Sequence, residues 1–298
     1  MVRDSFRVAA ALTLILVAAT GRGEARAESS SGGVSVRRDV QYCVAGRTQL
    51  TMDVYAPRAV DPPPRPLVIY VHGGGFGRGD KNTSTARAYM AEMVSRGFVG
   101  ASVNYRLAPS SGFPAMLEDV KCAVRYFRAN SSTYRVDPNR IGIMGSSAGG
   151  QLASMTGVTD ARARFEGSGG YANQSSRVQA VVDLFGFADL TALPRPQRDS
   201  LLKVFGSPAG LAAGSPINYV TSDDPPFLIM HGDRDRSVPL SQSEALLQRL
   251  RAARVPATLY VVNNADHGFE ATGAGPVSPD RDTRLDIIGD FFTRTLRR

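Results

Sequence analysis

The turn around which the chain is arranged reads Ile141-Gly142-Ile143-Met144-Gly145-Ser146-Ser147-Ala148-Gly149-Gly150. An apolar run typical of a buried strand enters this turn, and the residues that follow it have helical spacing. The pattern Gly145-x-Ser147-x-Gly149 is typical of a serine held at the tip of a sharp strand-to-helix turn. Side chains at the two flanking positions would collide with the backbone, so glycine is expected at both. The turn therefore presents the Ser147 hydroxyl, with the N–H of Ala148 beside it at the positive end of a helix.

Residues 1–27 have the pattern of a secretory signal peptide. Two arginines precede an uncharged apolar run from Val8 to Thr20, and Ala25-Arg26-Ala27 offers small residues at the two positions that determine cleavage. The alternative is a membrane anchor, but a span needs about 20 apolar residues and this run is shorter. We expect cleavage after Ala27, a secreted or periplasmic protein, and no stable membrane anchor.

Residues 28–298 are long enough for one large α/β domain with a substantial core. The hydrophobic share of 43% and the charged share of 21% are typical of a globular protein. The net charge of +8 comes mainly from dispersed arginines, so the composition favours a solvated basic surface and no nucleic-acid partner. We predict neither a cofactor nor a metal, because no metal-type spacing occurs. The sequence leaves the oligomeric state open.

The two cysteines, Cys43 and Cys122, have two interpretations. A chain bound for an oxidising compartment favours a disulfide. However, Cys122 lies within residues 117–127, a helical pattern with an apolar stripe, where a buried free thiol is equally expected. Counting cysteines leaves both states open.

Strand and helix patterns alternate along the rest of the chain. An antiparallel hairpin is predicted over 39–55, and strands over 67–71, 98–105, 141–146, 178–185, 226–230 and 258–262. Helices are predicted over 85–96, 113–130, 241–254 and 285–296, with a further helix after Gly150. We expect a turn at 137–139 and an irregular segment at 190–218 that could act as a short lid. This order predicts a mostly parallel central sheet flanked by helices, with the N-terminal hairpin at one edge.

Residues capable of chemistry follow four of the predicted strands. The loop His72-Gly73-Gly74-Gly75 follows one strand and Ser147 another; residues 231–235 and Asp266-His267 follow the last two. In parallel sheets, ligands bind beyond the carboxyl ends of the strands. The sequence therefore predicts one site at that edge, with serine, acid and base in the chain order Ser, Asp, His.

A serine hydroxyl needs a base to take its proton and an acid to orient that base. His267 lies in the loop after the last strand and can reach across the strand ends, so we predict it as the base. His72 opens the glycine loop, where a side chain that bonds the loop backbone is expected. His231 ends a strand, where a buried imidazole with satisfied nitrogens is expected.

The acid is Asp235, Asp233 or Asp266. Asp235 lies deeper in its loop and is preferred; Asp233 is expected to cap a turn and Asp266 to face solvent, since adjacent residues rarely orient each other's rings. The glycines of 73–75 supply backbone N–H groups that can hold an oxyanion together with Ala148. A phosphate-binding loop would need Gly-Lys-Ser/Thr next, and this is absent.

Taken together, the motifs resemble those of the α/β-hydrolase serine esterases. The resemblance is closest to the acetyl-esterase and feruloyl-esterase-like branch related to the hormone-sensitive-lipase group. It covers residues 38–296. The matching stretches are His72-Gly73-Gly74-Gly75-Phe76, Asn104-Tyr105-Arg106-Leu107-Ala108-Pro109, Phe113-Pro114-Ala115, Gly145-Ser146-Ser147-Ala148-Gly149-Gly150, and residues 231–239 with His231, Asp235, Val238 and Pro239.

The resemblance implies an α/β-hydrolase fold over 28–298. It implies specific roles for these residues: catalytic Ser147, Asp235 and His267; oxyanion donors Gly74, Gly75 and Ala148; structural supports Tyr105 and Asp119. The chain departs from the hormone-sensitive-lipase group in one respect, because residues 28–66 have the pattern of a hairpin and loop where that group has a helical cap. A more open cleft is therefore expected.

The activity that the resemblance implies is that of a secreted serine carboxylesterase. Its substrates would be short-chain or aryl-acyl esters, free or linked to polysaccharide, and an acyl-enzyme would form. One alternative is a peptidase of the prolyl-oligopeptidase type, which shares the chain order but has a large N-terminal domain that we do not expect here. Another is a non-catalytic binding protein of hydrolase fold; such proteins typically lack a triad member, and all the candidates are present here.

Overall fold

The computed structural model describes residues 27–29, 33–58, 63–273 and 275–297. Apart from Ala27, the predicted signal peptide lies outside these residues. Within these described ranges, nine strands form one sheet in the order β1-β2-β3-β5-β4-β6-β7-β8-β9. The strands are β1 Ala27–Ser29, β2 Val34–Ala45, β3 Thr48–Pro57, β4 Arg65–Val71, β5 Val99–Val103, β6 Val136–Ser146, β7 Ala180–Leu184, β8 Phe227–Gly232 and β9 Ala257–Val262. Strands β4 to β9 are parallel to one another, and β1 to β3 pair antiparallel at one edge. The predicted α/β-hydrolase fold, with its edge hairpin, is confirmed.

Helices cover both faces of this sheet. They are α1 Ser84–Ser95, α2 Ala115–Ala129, α3 Ser131–Tyr134, α4 Ala148–Val158, α5 Arg195–Phe205, α6 Pro208–Ala213, α7 Ser241–Ala252 and α8 Arg281–Leu296. Side chains alternate between two hydrophobic clusters: in β4, Ile69 belongs to the cluster under α2, α4 and α7, and Val68 and Tyr70 to the one under α1 and α8. Burial on both faces explains why these strands are apolar without alternation. Within the described part of the chain, no helix is both long and apolar enough to cross a bilayer.

The irregular segment predicted at 190–218 is wrong in its secondary structure, because α5 and α6 lie within it. Its prolines and glycines mark helix ends: Pro196 lies in the first turn of α5, Gly206 ends α5 with a φ of 78°, and Pro208 is the first residue of α6. Proline is well tolerated at a helix start and glycine at a helix end.

The turn predicted at 137–139 lies inside β6 rather than before it. Asn139 N–H does bond the Asp137 side chain, at 2.9 Å, as an Asx-type turn requires. The sheet accommodates this turn through a register shift between the pairs Arg65–Val136 and Leu67–Ile141.

Cys43 and Cys122, whose state the sequence leaves open, form a disulfide in the structure. Their Cα atoms are 6.5 Å apart, and both side chains are buried. The disulfide joins strand β2 of the antiparallel part of the sheet to helix α2. The free-thiol interpretation of Cys122 is therefore wrong.

Candidate active site

Ser147 occupies the junction between β6 and α4 with a φ of 55° and a ψ of −119°, a strained conformation for a residue with a side chain. Its N–H donates to the carbonyl of Leu184 at 2.8 Å. A Cβ at Gly145 would lie 2.1 Å from the Gly149 carbonyl oxygen, and a Cβ at Gly149 would lie 2.1 Å from that of Val71. The close approach of β4, β6 and α4 is therefore the reason for both glycines.

Three predicted residues meet at the carboxyl edge of the sheet. His267, in the loop after β9, has its Nε2 2.9 Å from Ser147 Oγ. Its Nδ1 is 2.8 Å from Oδ2 of Asp235, in the loop after β8. A carboxylate accepts from Nδ1–H, so the lone pair of Nε2 faces the serine hydroxyl, as a general base requires. The ring of Phe185 packs edge-on against the imidazole, with centroids 4.8 Å apart.

The Asp235 carboxylate is completely buried and bonded on both oxygens. Oδ1 accepts from the N–H groups of Ser237 at 2.9 Å and Val238 at 2.8 Å. Oδ2 lies 3.3 Å from Nε2 of His231 in addition to its bond with His267. Burial by itself raises the pKa of this carboxyl, but the bonds from His231 and His267 outweigh it and hold the pKa well below its usual range. Asp235 is therefore an anion that is fixed in place.

The carboxylates of Asp233 and Asp266, the alternatives to Asp235 as the acid, bond other groups. Asp233 accepts from the N–H of Ala265 at 3.1 Å and so joins the loops after β8 and β9. Asp266 accepts from the N–H of His267 at 2.7 Å and from Nε of Arg236 at 2.6 Å. The expectation that Asp266 is merely a surface residue is wrong, because it caps the short turn that carries His267.

The other two histidines have the structural environments that were predicted. Nδ1 of the buried His72 bonds the Gly73 carbonyl at 2.8 Å, and its ring stacks on Tyr105 with centroids 4.4 Å apart. His231 bonds Ser243 Oγ at 2.6 Å and the Val238 carbonyl at 2.8 Å. His231 also contacts the Asp235 carboxylate, and no sequence pattern predicts this contact, because it depends on the turn between the two residues.

The glycine loop after β4 lies directly against the serine turn. A Cβ at Gly73 would lie 2.8 Å from the Ser146 carbonyl oxygen and 3.3 Å from the Ser147 Cβ. Gly74 and Gly75 have φ values of 126° and 61°, which glycine adopts without strain. The loop has no room for larger residues at its start.

Three backbone N–H groups beside Ser147 have no acceptor among the residues that the structure describes. They belong to Gly74, Gly75 and Ala148, the predicted oxyanion donors. Ala148 is the first residue of α4, where N–H groups have no partner within the helix.

The two residues expected to be structural supports hold the loop that follows β5. Tyr105 donates its hydroxyl to the His72 carbonyl at 2.9 Å. The buried Asp119 of α2 accepts from the backbone N–H of Arg106 at 2.8 Å and from its guanidinium at 2.7 Å. The Tyr105 bond ties this loop to the start of the glycine loop, and the Asp119 bonds hold the next residue of the same loop.

The catalytic candidates open into a cleft of about 670 Å³. Aromatic rings form much of its wall; they belong to Tyr70, Tyr89, Phe185, Phe187 and Phe269. The Tyr70 hydroxyl bonds Ser146 Oγ at 2.8 Å, and burial raises the pKa of Tyr70 to about 12, so it stays protonated. Sequence reasoning missed this wall, because its residues come from separate elements and no local pattern joins them.

The segment 190–218 contributes no residue to the lining of this cleft. Instead it packs against the body of the protein; for example, Phe205 meets the buried Phe76 with ring centroids 5.4 Å apart. In this conformation the cleft has no cover from that segment. Among the described residues, no cluster of His, Cys, Asp and Glu suits a metal ion.

Comparison with known proteins gives the family. Residues 52–250, more than half of the chain, match the profile of the BD-FAE family. The chain belongs to the BD-FAE family. Proteins named as esterases are among the sequences and solved structures that are similar to this BD-FAE member. The predicted resemblance to the α/β-hydrolase esterases is therefore confirmed.

Two relatives come from Mycobacterium tuberculosis. Esterase LipC is 31% identical over 239 residues, which are 76% of this chain and 59% of the relative. Esterase LipQ is 32% identical over 269 residues, which are 87% of this chain and 63% of the relative. The chain thus spans about three fifths of the length of these curated relatives.

Two solved structures share the fold over most of their length. The truncated form of a carbohydrate esterase from gut microbiota has a TM-score of 0.76 at 30% identity, covering 88% of this chain and 96% of the other. Propionate-bound Est2, an esterase of Thermogutta terrifontis, has a TM-score of 0.75 at 24% identity, covering 88% and 94%. The second likeness concerns the fold alone.

Proposed function

We propose that this BD-FAE member is a serine carboxylesterase that hydrolyses esters with short acyl or aryl-acyl groups through an acyl-enzyme. The observation that carries the proposal is the hydrogen-bonded line from Ser147 through His267 to Asp235, next to three backbone N–H groups without acceptors. This constellation is what acyl transfer needs: a nucleophile, a base, an acid and donors for an oxyanion.

In the acylation step, Ser147 Oγ attacks the ester carbonyl while Nε2 of His267 takes the hydroxyl proton. The carbonyl oxygen becomes an oxyanion, which the N–H groups of Gly74, Gly75 and Ala148 stabilise. The intermediate then expels the alcohol oxygen, which takes the proton from His267 as it leaves. The products are a free alcohol and an ester between the acyl group and Ser147.

In the second step, a water molecule attacks that ester and gives a proton to His267. The bond to Ser147 Oγ breaks, the serine regains its proton from His267, and the acid product leaves. Asp235 stabilises the imidazolium in both steps without taking its proton.

The aromatic wall of the cleft supports small apolar and aryl groups as substrates. The absence of a covering segment from 190–218 leaves space for a large alcohol portion, and the likeness to a carbohydrate esterase supports a polysaccharide-linked ester. Secretion or a periplasmic location is supported by the signal-peptide pattern and by the disulfide.

The test is a set of initial rates on 4-nitrophenyl acetate, butyrate and octanoate and on methyl ferulate, with Ser147→Ala as the control. We expect rates that fall with chain length and vanish in Ser147→Ala. A faster rate on matched aminoacyl arylamides would favour the peptidase. Folded protein that neither turns over an ester nor reacts with a fluorophosphonate would favour the binding protein and overturn the proposal.

A further inference from the structure

A second cavity of about 290 Å³ adjoins the catalytic cleft. The two share four lining residues: Thr85 and Tyr89 of α1, with Gly268 and Phe269. Gly268 directly follows His267, so the second cavity opens beside the histidine that faces Ser147. Its far wall is the first turns of α8, including Arg281 and Arg284.

Neither of these arginines forms an ion pair with a carboxylate of the described residues. The guanidinium of Arg284 lies over the Phe269 ring, 4.7 Å from its centroid, and donates to the Pro279 carbonyl at 2.6 Å. Arg281 is exposed. Two acidic residues flank Arg281: Asp280 accepts from the N–H of Thr283 at 2.9 Å and caps α8, and Asp282 is exposed.

Two other partly buried arginines of this chain are paired with carboxylates. Arg96 bonds the carboxylates of Glu92, Asp286 and Asp290, and Arg106 those of Glu118 and Asp119. At the cavity, burial lowers the pKa of Arg284; Tyr89 and the nearby Asp280 oppose this only in part, and the charge of Arg281 adds to it. The two guanidinium groups repel each other, and each has N–H groups left to donate. A bound anion would accept these hydrogen bonds and stabilise both charges.

The catalytic cleft carries a third arginine of this kind on the same side as the glycine loop. Arg78 lines the cleft, is exposed, and forms no ion pair with a described carboxylate. Its Cγ lies 3.2 Å from where a Gly74 Cβ would be, so its stem runs along the predicted oxyanion loop. The linings of the cleft and of the second cavity therefore hold three arginines and no carboxylate.

We propose that the cavity lined by Tyr89, Phe269, Arg281 and Arg284 is a subsite for a carboxylate carried by the substrate ester. A carboxylate matches the planar fork of a guanidinium, and the two rings hold the carbon skeleton that bears it. The substrate class is a carboxylate-bearing ester, such as an ester of an acidic sugar or a half-ester of a dicarboxylic acid. This inference rests on the proposed esterase function and specifies its substrate.

Two matched substrate pairs test which part of the ester bears the charge. For the alcohol portion the pair is 4-acetoxybenzoate and its methyl ester; for the acyl portion it is mono-4-nitrophenyl glutarate and 4-nitrophenyl butyrate. The quantity measured is the ratio of kcat/KM for the charged ester to that for the neutral one. Comparing this ratio between proteins cancels the intrinsic reactivity of each ester.

The variant is Arg281→Gln/Arg284→Gln, and the matched control is Arg251→Gln/Arg294→Gln. Both control residues are exposed, belong to helices α7 and α8, and line neither cavity. The control removes the same net charge, so it separates a local contact from long-range attraction. We expect the ratio to fall about tenfold in the variant for at least one pair, as loss of charge-assisted bonds implies, and to stay within about twofold in the control.

Equal ratios in the wild type and the variant for both pairs would overturn the subsite. Fluorophosphonate titration counts the active sites in each protein. If the double variant is unfolded, Arg284→Lys replaces it, because lysine keeps the charge but lacks the planar guanidinium. An unchanged ratio in Arg284→Lys would also overturn the subsite. Failure of the esterase proposal gives a different result, namely no Ser147-dependent turnover of the neutral esters, and that result overturns both proposals.

Discussion

Replacement of Asp235 by asparagine tests directly whether Asp235 holds His267 in the protonation state that a general base requires. Oδ1 accepts two backbone N–H groups, from Ser237 and Val238. An asparagine must keep its carbonyl oxygen there, because its NH₂ would face two donors. The NH₂ then replaces Oδ2 and points at Nδ1 of His267. The imidazole is forced into the tautomer with its proton on Nε2, which cannot accept the proton of Ser147.

The expected magnitude follows from the distance. A carboxylate 2.8 Å from Nδ1 stabilises the imidazolium by about 6 kcal/mol at an effective dielectric constant of about 20. This energy corresponds to roughly four decades in rate. The corresponding change in a serine protease triad lowers kcat by about 10⁴. We therefore expect Asp235→Asn to lower kcat by about 10⁴.

The assay is the steady-state hydrolysis of 4-nitrophenyl acetate, with thermal unfolding as a check on folding. Asp233→Asn is the matched control, because Asp233 lies in the same loop and bonds Ala265 rather than His267. We expect it to keep kcat within about threefold. Activity of folded Asp235→Asn within tenfold of the wild type, or the large loss in Asp233→Asn instead, would refute the reasoning.

Three further predictions concern stability and the serine turn. The disulfide of Cys43 and Cys122 spans a sequence separation of 79, so reductant should lower the free energy of unfolding in urea by about 4.5 kcal/mol. Gly149→Ala places a Cβ 2.1 Å from the Val71 carbonyl oxygen, so we expect it to lower the melting temperature and kcat together. The pKa of Asp235 is lowered in the folded chain, so its contribution to stability is present above the unfolded pKa of about 4 and is lost as the pH falls below it; urea midpoints between pH 5 and 3 should fall more steeply in the wild type than in Asp235→Asn.

Each of these has a contrary result. Two thiols that react with iodoacetamide in unreduced, unfolded protein would contradict the disulfide. A Gly149→Ala variant with normal melting and normal kcat would contradict the close approach of α4 and β4. Parallel pH dependences of the wild type and Asp235→Asn would contradict the anchored carboxylate.

The fold was predictable from the sequence because its signals are local. The strand β4 is an apolar run, and the turn around Ser147 carries its own glycines, so both could be recognised without knowledge of their neighbours. The prediction of an irregular segment at 190–218 is wrong for the same reason: prolines and glycines that begin and end short helices resemble those of a loop. Their formation depends on tertiary packing, such as that of Phe205 of α5 against Phe76 in the core, which local patterns do not contain.

The three catalytic candidates could be predicted from the sequence, but the side chains that surround and support them could not. Ser147, Asp235 and His267 could be placed because parallel strands bring their carboxyl ends to one edge. The contact of His231 with Asp235, the cap that Asp266 forms, and the arginine pair on α8 depend on side chains from distant elements. No spacing in the chain encodes such contacts.

The most direct test of the central claim is to trap the acyl-enzyme. The protein is mixed with 4-nitrophenyl acetate, quenched in acid during turnover, and digested for peptide mass spectrometry, with Ser146→Ala and Ser147→Ala alongside. The account predicts one acetyl group on Ser147 in the wild type, the same modification in Ser146→Ala, and none in Ser147→Ala. Acetylation that persists in Ser147→Ala, or turnover in that variant at the wild-type rate, would contradict it.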